Sequence, residues 1–537
     1  MLNLLIQAMN RFSSKVAILR DRSFIALTLT LAFLLTLRSP RDPDLGWHLR
    51  NGEDILKFGV PRGDSYSYTM PGYPWISHEW LTDVLLYLGS HYWGLLFLVV
   101  LFALIAVAAY LLASRVSRVS WPATVLTTLI AILVAYPIVG VRPQLITLLG
   151  LAAILWILFR WREKPENKLI FWLIPLMLIW VNLHGGFMAG LILMGAFGVF
   201  ELAKYIWKRS GRHPKLQNCH PGSTGQGPSS DSGSRPGFQI ESGMTKGAGF
   251  LSAKELWQLV WVGLLSGAVT LVNPYTWRVY EEFVRTVFND LVKSNISEWL
   301  PVDLGSVNGF NLLIYAILLA IFVLMSWRKM DGTKIFIGIV FFVISISSWR
   351  NMPLFPLVTL PLLADAVAVL LPAGISYYTR SVWIGFALLI GVGYYGYVQS
   401  LSVVPLSTNQ ESLFRAAGYP VGAVQYIKEH HLPGNLFNEY GWGGYLIWQL
   451  PEKPVFIDGR MAIWQTPTQN LFKEYTSLSV EDEPTTAILN KYKADLILIK
   501  KQSQFAQYFL RNSDGWEALY QDNNCWLFGR VLTTKLN

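Results

Sequence analysis

A chain of 537 residues that is 53% hydrophobic, 14% aromatic and only 15% charged is too apolar for an ordinary soluble protein. Its formal charge of +10 invites a nucleic-acid partner, but the lysines and arginines stand in short clusters at the ends of apolar runs, the pattern that orients membrane spans. No Walker loop, Rossmann glycine fingerprint, HExxH or CxxC pair occurs, which removes support for a nucleotide-driven pump.

A bilayer core takes about 20 mostly apolar residues per helical span, and runs of that kind start near Ser23, Trp93, Pro122, Gln144, Leu169, Phe187, Leu256, Gly309, Lys334, Pro353 and Ser381. The expectation is a mainly α, polytopic membrane protein of about eleven spans. Arg11, Lys15, Arg20 and Arg22 put the N-terminus in the cytoplasm. Under strict alternation Arg115/Arg118, Arg160/Arg162/Lys164, Lys204/Lys208/Arg209/Arg212 and Arg328/Lys329/Lys334 share that side. The C-terminus then lies outside, as expected of a protein of the bacterial plasma membrane. The run from Ser23 to Leu37 also resembles a signal-peptide core, but no small-residue cleavage site follows, which favours a retained helix. Cys219 and Cys525 fall on opposite sides and cannot pair.

The first outer loop, 38–92, opens with RDPDLGWHLRNGEDIL. Asp42 before Pro43 reads as a helix cap with proline at the first helical position. Continuing that helix places Asp44, Trp47, His48 and Asn51 on one stripe and Leu45, Leu49 and Leu56 on another. Asp44 is then either an acidic group favoured by the helix dipole or a pocket residue. His78 and Glu79 in YPWISHEWL allow the same two readings, an interfacial pair or a second acidic site.

Further polar groups interrupt apolar runs at Arg142, Asn182, His184, Asn273, Arg278, Glu298, Arg350 and Asn351, all on the outer side of this topology. Each taken singly suits an interfacial anchor. Together they contrast with the plainly basic inner ends, and ionisable groups kept near a membrane are candidates for function. Arginines suit a phosphate through their planar, bidentate fork. A carboxylate suits activation of a nucleophile.

Residues 209–249 turn to Gly, Ser, Pro and Gln, a composition that cannot bury a core, and divide the spans into two groups as a cytoplasmic loop. Beyond about Leu401 the apolar runs stop, so the domains expected are a membrane part over 1–400 and an extracytoplasmic α/β domain over 401–537. Helices are expected at PVGAVQYIKEHH and SQFAQYFL, strands at GNLFNEY, PVFIDGR, ADLILIK and CWLFGR. Asn438, Trp442 and Asp458 could line a glycan groove, or Asp458 could simply cap the turn around YGWGG.

The layout DPDLGWHLRNGEDILKFGVPRGDSYSYTMPGYPWISHEWL resembles the first outer loop of the C-type (GT-C) glycosyltransferase superfamily, which includes protein O-mannosyltransferases, aminoarabinose transferases of lipid A and oligosaccharyltransferase catalytic subunits. The chain as a whole also looks like a group of bacterial multi-pass membrane proteins with RPQ, NLHGGF, NPY and WRN motifs and a tail carrying YGWGGYLIW and FIDGR. The resemblance implies a loop-one acidic residue as base or acceptor-orienting group, matched by Asp44 and then Asp42, assisted by Glu79 or His78. It implies outer-loop arginines, here Arg142, Arg350 and Arg278, on the donor phosphate, and His48, Asn51, Asn182, His184, Asn273 and Glu298 around the pocket. Asp-Pro-Asp replaces the mannosyltransferases' adjacent Asp-Glu, and the WWDYG motif of oligosaccharyltransferases is missing.

The implied reaction moves a sugar from a polyprenyl-phosphate donor in the bilayer to a glycan, lipid or protein acceptor outside the cytoplasm. The resemblance singles out no cofactor, and two carboxylates beside a phosphate can hold a divalent cation. A membrane scaffold or carrier of lipid-linked glycans is the alternative. A transporter would instead place charges at mid-membrane, in broken helices.

Overall fold

The computed structural model describes residues 26, 29–40, 42–119, 121–210, 250–370, 393, 410–478, 484–511 and 515–531. The basic leader, the start of the run expected from Ser23, nearly all of the run expected from Ser381, Cys219 and nearly all of the 209–249 loop lie outside the described residues.

The chain is mostly helical. Helix α1 (Leu45–Phe58) lies on the start of α2 (Trp80–Ser114), where Gly52 lets the two backbones touch, because a Cβ there would collide with the Asp83 carbonyl. Gly94 breaks α2 with φ 80° and ψ 172°, a conformation essentially reserved for glycine, and so separates an amphipathic surface segment from the apolar run that follows. Next come α3 (Trp121–Ala135), α4 (Gln144–Glu163), α5 (Leu173–Leu183), α6 (Phe187–Arg209), α7 (Ala253–Ala268), the short α8 (Arg278–Val287) and α9 (Asp290–Asn295), α10 (Val307–Ser326), α11 (Gly332–Ser347) and α12 (Leu354–Leu370).

Among the described residues, five segments are long and apolar enough to cross a membrane: Trp80–Ser114, Gln144–Glu163, Phe187–Arg209, Val307–Lys329 and Trp349–Leu370. Ala123–Ile138, Leu169–Leu183 and Gly332–Ser347 are shorter apolar helices. The membrane class therefore stands, in a coarser form than the eleven expected spans. Trp257, Trp261, Leu264 and Leu265 stand exposed on α7, as do Phe310, Ile317 and Leu324 on α10, where only lipid would cover them.

Successive helices alternate in direction, and their far ends are tied by ion pairs. Arg162 at the end of α4 reaches Glu201 of α6 at 2.7 Å and also pairs with Asp331 before α11, while Lys204 meets Glu201 at 2.8 Å. Lys334 of α11 pairs with Asp365 of α12 at 2.5 Å, and Arg118 with Glu163 at 2.6 Å. The basic clusters read from the sequence as orientation signals are thus also helix-to-helix ties.

The tail begins with α13 (Gln410–Ala416) and α14 (Val421–Glu429) and continues through β1 (Asn435–Asn438), α15 (Gly443–Gln449), α16 (Leu471–Thr476), α17 (Pro484–Lys491), β2 (Ala494–Lys500), α18 (Gln504–Arg511), β3 (Trp516–Gln521) and β4 (Cys525–Arg530). The sheet order is β1-β2-β4-β3, with β1 parallel to β2 and the other pairs antiparallel. The strand expected at PVFIDGR is reduced to single bridges, because Val455 pairs at once with Leu436 of β1 and with Ser67 of the first outer loop. β3 was not expected: its burial alternates too weakly to mark a strand.

Loop one and tail are therefore one packed unit. A Cβ on Gly46 would strike the Gly444 carbonyl, and one on Gly444 would strike the Pro43 carbonyl, so α1 and α15 meet backbone to backbone. Arg460 of FIDGR, 8% exposed, grips Asp458 through Nε and Nη2 at 2.7 Å each and reaches Asp64 of loop one at 3.0 Å. Its guanidinium also lies 4.6 Å from the centre of Trp75.

Candidate active site

Between the near ends of the helices and the tail lies a cavity of about 780 Å³. Its wall contains Asp42, Asp44, His48, His78, Glu79, His184, Glu298 and Arg350, together with Tyr440, Gly459 and Lys500 from the tail. An apolar flank of Met188, Ile192, Phe283 and Val287 belongs to α6 and α8.

The two aspartates of DPD sit differently. Asp42 is buried; its Oδ1 accepts the Asp44 amide at 2.9 Å, as a cap should, although regular helix starts only at Leu45. Its Oδ2 is 3.3 Å from Arg142 Nε, and Arg142 Nη1 is 2.6 Å from Glu298 Oε1. Asp44 is half-buried, accepts from Trp47 Nε1 at 2.9 Å and has no cation within ion-pair distance among the described residues. Burial, and then the like charge of Asp42, push its carboxyl up to about 7 against the opposing pull of His48 and Trp47.

Behind them is a second acidic and imidazole cluster. His48 Nδ1 is 2.6 Å from Asp83 Oδ1, and Asp83 is held in turn by Asn51 Nδ2 at 2.5 Å and the Ser77 hydroxyl at 3.2 Å. Burial by itself lowers His48, but the Asp83 carboxylate outweighs it and raises the imidazole to about 9. Glu79 stands 3.1 Å from His184 Nε2, 3.4 Å from His48 Nε2 and 3.5 Å from His78 Nε2. Burial opposes ionisation of Glu79, yet His184 and His78 together hold it well below the usual carboxylate range. The Gly186 amide donates to His184 Nδ1 at 2.9 Å, which leaves the proton of the neutral ring on Nε2, toward Glu79.

The arginines divide sharply. Arg142, expected on a phosphate, is placed between Asp42 and Glu298 and outside the cavity wall. Arg350 lines the cavity, lies 5.6 Å from the Trp299 ring centre and has no carboxylate within ion-pair distance among the described residues. With the Gln144 amide oxygen turned toward it, Nη2 donates at 2.6 Å and Nε lies 3.3 Å away. Arg278 is exposed at the start of α8 and outside the cavity wall.

Three amides expected in the pocket are structural instead. Asn182 accepts from Trp80 Nε1 at 2.9 Å and donates to Leu178 and Val272 carbonyls. Asn273 closes the NPYT turn through Thr270, Tyr275 and Thr276. Asn51 sits behind His48 on Asp83 and Ser77. In the tail, Asn438 bonds Phe456 and Ile457, Trp442 is buried and Asp458 caps residues 459–463, so these three form no glycan groove. Sequence reasoning missed Asp83, Tyr440 and Lys500; Asp83 stands one helical turn after Glu79, a spacing that would have placed it on the same face.

Among the described residues, no three His, Cys, Asp or Glu side chains are grouped to hold a metal. The two carboxylates that converge from different segments, Asp42 and Glu298, converge on a guanidinium.

Neither a family model nor a curated protein sequence matches this chain. The fold does have solved counterparts. An Archaeoglobus fulgidus oligosaccharyltransferase tethered to an acceptor peptide with the NVT sequon superposes with a TM-score of 0.51 at 12% identity, covering 95% of this chain and 74% of that one. The Archaeoglobus fulgidus oligosaccharyltransferase AglB, in complex with an inhibitory peptide and a dolichol-phosphate, gives a TM-score of 0.52 at 11% identity, covering 96% and 75%. The arabinofuranosyltransferase AftD from mycobacteria gives 0.49 at 13% identity, covering 95% of this chain and 40% of that chain. At these identities the likeness is one of fold alone, shared with the Archaeoglobus fulgidus oligosaccharyltransferases.

Proposed function

We propose that this protein is a membrane glycosyltransferase of GT-C type that moves a sugar from a polyprenyl-phosphate donor to an acceptor outside the cytoplasm, with Asp44 as general base. The observation that carries the reading is one cavity holding both a carboxylate, Asp44, and an arginine, Arg350, neither of which has an opposite charge within ion-pair distance among the described residues, beside an apolar flank. That flank suits a prenyl chain, and the dolichol-phosphate in the related fold is support of the same kind.

In the step proposed, the acceptor hydroxyl gives its proton to the Asp44 carboxylate as its oxygen bonds to the anomeric carbon. The bond between that carbon and the donor phosphate oxygen breaks, and the electron pair leaves with the phosphate. Arg350 holds the departing anion through charge-assisted hydrogen bonds. A carboxyl pushed up to about 7 keeps a substantial ionised fraction near neutral pH and is basic enough in that form to take the proton. Asp42 keeps Arg142 and Glu298 in place and raises the basicity of Asp44.

Purified protein supplied with a panel of polyprenyl-phosphate sugars and glycan, lipid and peptide acceptors is expected to turn one pair over, and Asp44→Asn to lower that rate by about 10²–10⁴-fold. Turnover that survives Asp44→Asn unchanged refutes the mechanism. Donor binding without turnover for any acceptor supports a carrier of lipid-linked glycans instead.

A further inference from the structure

A second cavity, of about 440 Å³, lies on the tail side of the first and is lined by Tyr419, Lys500, Lys501, Gln502, Asn523 and Asn524 among others. Pro43, Gly441 and Lys500 line both cavities, so the two adjoin, and Pro43 at the junction stands between the aspartates of the DPD motif. From the glycosyl-transfer reading we infer that this groove binds the acceptor, and that the acceptor is an anionic saccharide.

Position is the first argument. The donor's apolar part belongs at the flank of α6 and α8, and a substrate entering along the groove delivers its hydroxyl at Asp44 from another direction. Charge is the second. Lys500 and Lys501 have no carboxylate within ion-pair distance among the described residues, whereas the nearby Asp522 is turned inward, its Oδ1 accepting the Asn524 and Cys525 amides at 2.7 and 3.0 Å and its Oδ2 the Tyr520 hydroxyl at 3.2 Å. Glu439, whose Oε1 accepts the Lys500 amide at 3.1 Å, lines the first cavity and not the groove, so the described lining of the groove carries two ammonium groups and no carboxylate. Chemistry is the third: the exposed Gln502 and Asn523 carry amides that pair with hydroxyls, and a volume of about 440 Å³ lies in the range of small-molecule sites. An acidic peptide would answer the same charge, but the groove is walled by turns and side chains. β1 and β3, the sheet's two outer strands, are absent from its lining, so no strand edge is offered to an extended backbone.

The test is equilibrium binding of fluorescent oligogalacturonate, neutral malto-oligosaccharide and an oligoglutamate peptide to the full chain in detergent, with polyprenyl phosphate binding measured in parallel. Oligogalacturonate is expected to bind at least tenfold tighter than either competitor, to weaken as salt rises and to lose about threefold to tenfold on Lys501→Glu, with polyprenyl phosphate binding unchanged. Equal affinity for the neutral sugar, preference for the peptide, or oligogalacturonate binding untouched by Lys501→Glu overturns the inference. Loss of polyprenyl phosphate binding alone, with oligogalacturonate still bound, speaks against the donor reading and leaves the groove standing.

Discussion

The two ends of the helical bundle use charge in opposite ways. At the far end Arg162, Lys204 and Lys334 meet Glu201, Asp331 and Asp365, and each cation has its anion on a neighbouring element or the adjoining turn. At the cavity end pairing is selective: Arg142 is neutralised twice over, while Asp44 and Arg350 face the same space with no opposite charge within ion-pair distance among the described residues. Paired charges fix helices against one another, and charges held apart cost stability that a ligand can return. The cavity end thus reads as a place where substrate, rather than protein, completes the pairing.

This contrast is open to direct attack. The largest effect expected is the loss of about 10²–10⁴-fold in turnover on Asp44→Asn, with a melting temperature equal to or above that of the parent protein. The sign follows from linkage. Asp44 titrates near 7 in the fold and near 3.8 as an ordinary carboxyl, so the native state binds the extra proton, and stability falls as pH rises between those values. Asparagine removes that fall, which thermal unfolding across pH 4 to 7 would show as a flatter profile. In the parent enzyme kcat/KM should rise with pH to a plateau above about 7, and a flat profile would argue against Asp44 as the base.

Arg162→Met should do the reverse. It strands Glu201, which is 1% exposed, and Asp331, and is expected to cost about 3–5 kcal/mol while turnover per folded molecule stays the same. A stability loss as large in Asp44→Asn, or a turnover loss as large in Arg162→Met, would erase the distinction between the two ends. At the seam, Gly444→Ala drives a methyl into the Pro43 carbonyl and should cost about 1–3 kcal/mol by overpacking, measurable as a lower melting temperature. Activity should fall with it, because the same contact places Asp44. The smallest effect is expected from Arg350→Lys, about tenfold in the KM for donor with kcat less affected, since lysine keeps the charge but loses the fork.

Much of this was legible in the chain itself. Composition declared a membrane protein, and the apolar run read from near Trp93 falls in α2, where the structure adds the break at Gly94. β1, β2 and β4 lie where branched and aromatic residues put them. The individual roles were not legible. Arg142 and Arg350 are alike as residues in an outer loop, and only the carboxylates brought to one of them, Asp42 from loop one and Glu298 from beyond α9, tell them apart.

YGWGG and FIDGR suggested sugar-binding chemistry, yet Gly444 serves a backbone contact at the start of α1 and Arg460 ties down Asp64, some four hundred residues earlier. Periodicity and residue type act locally, so the sequence by itself determined which segments are apolar, which turn and which carry charge. Which charges meet, and which are left to face a substrate, depends on segments hundreds of residues apart arriving at one place, and that was decided by the tertiary structure alone.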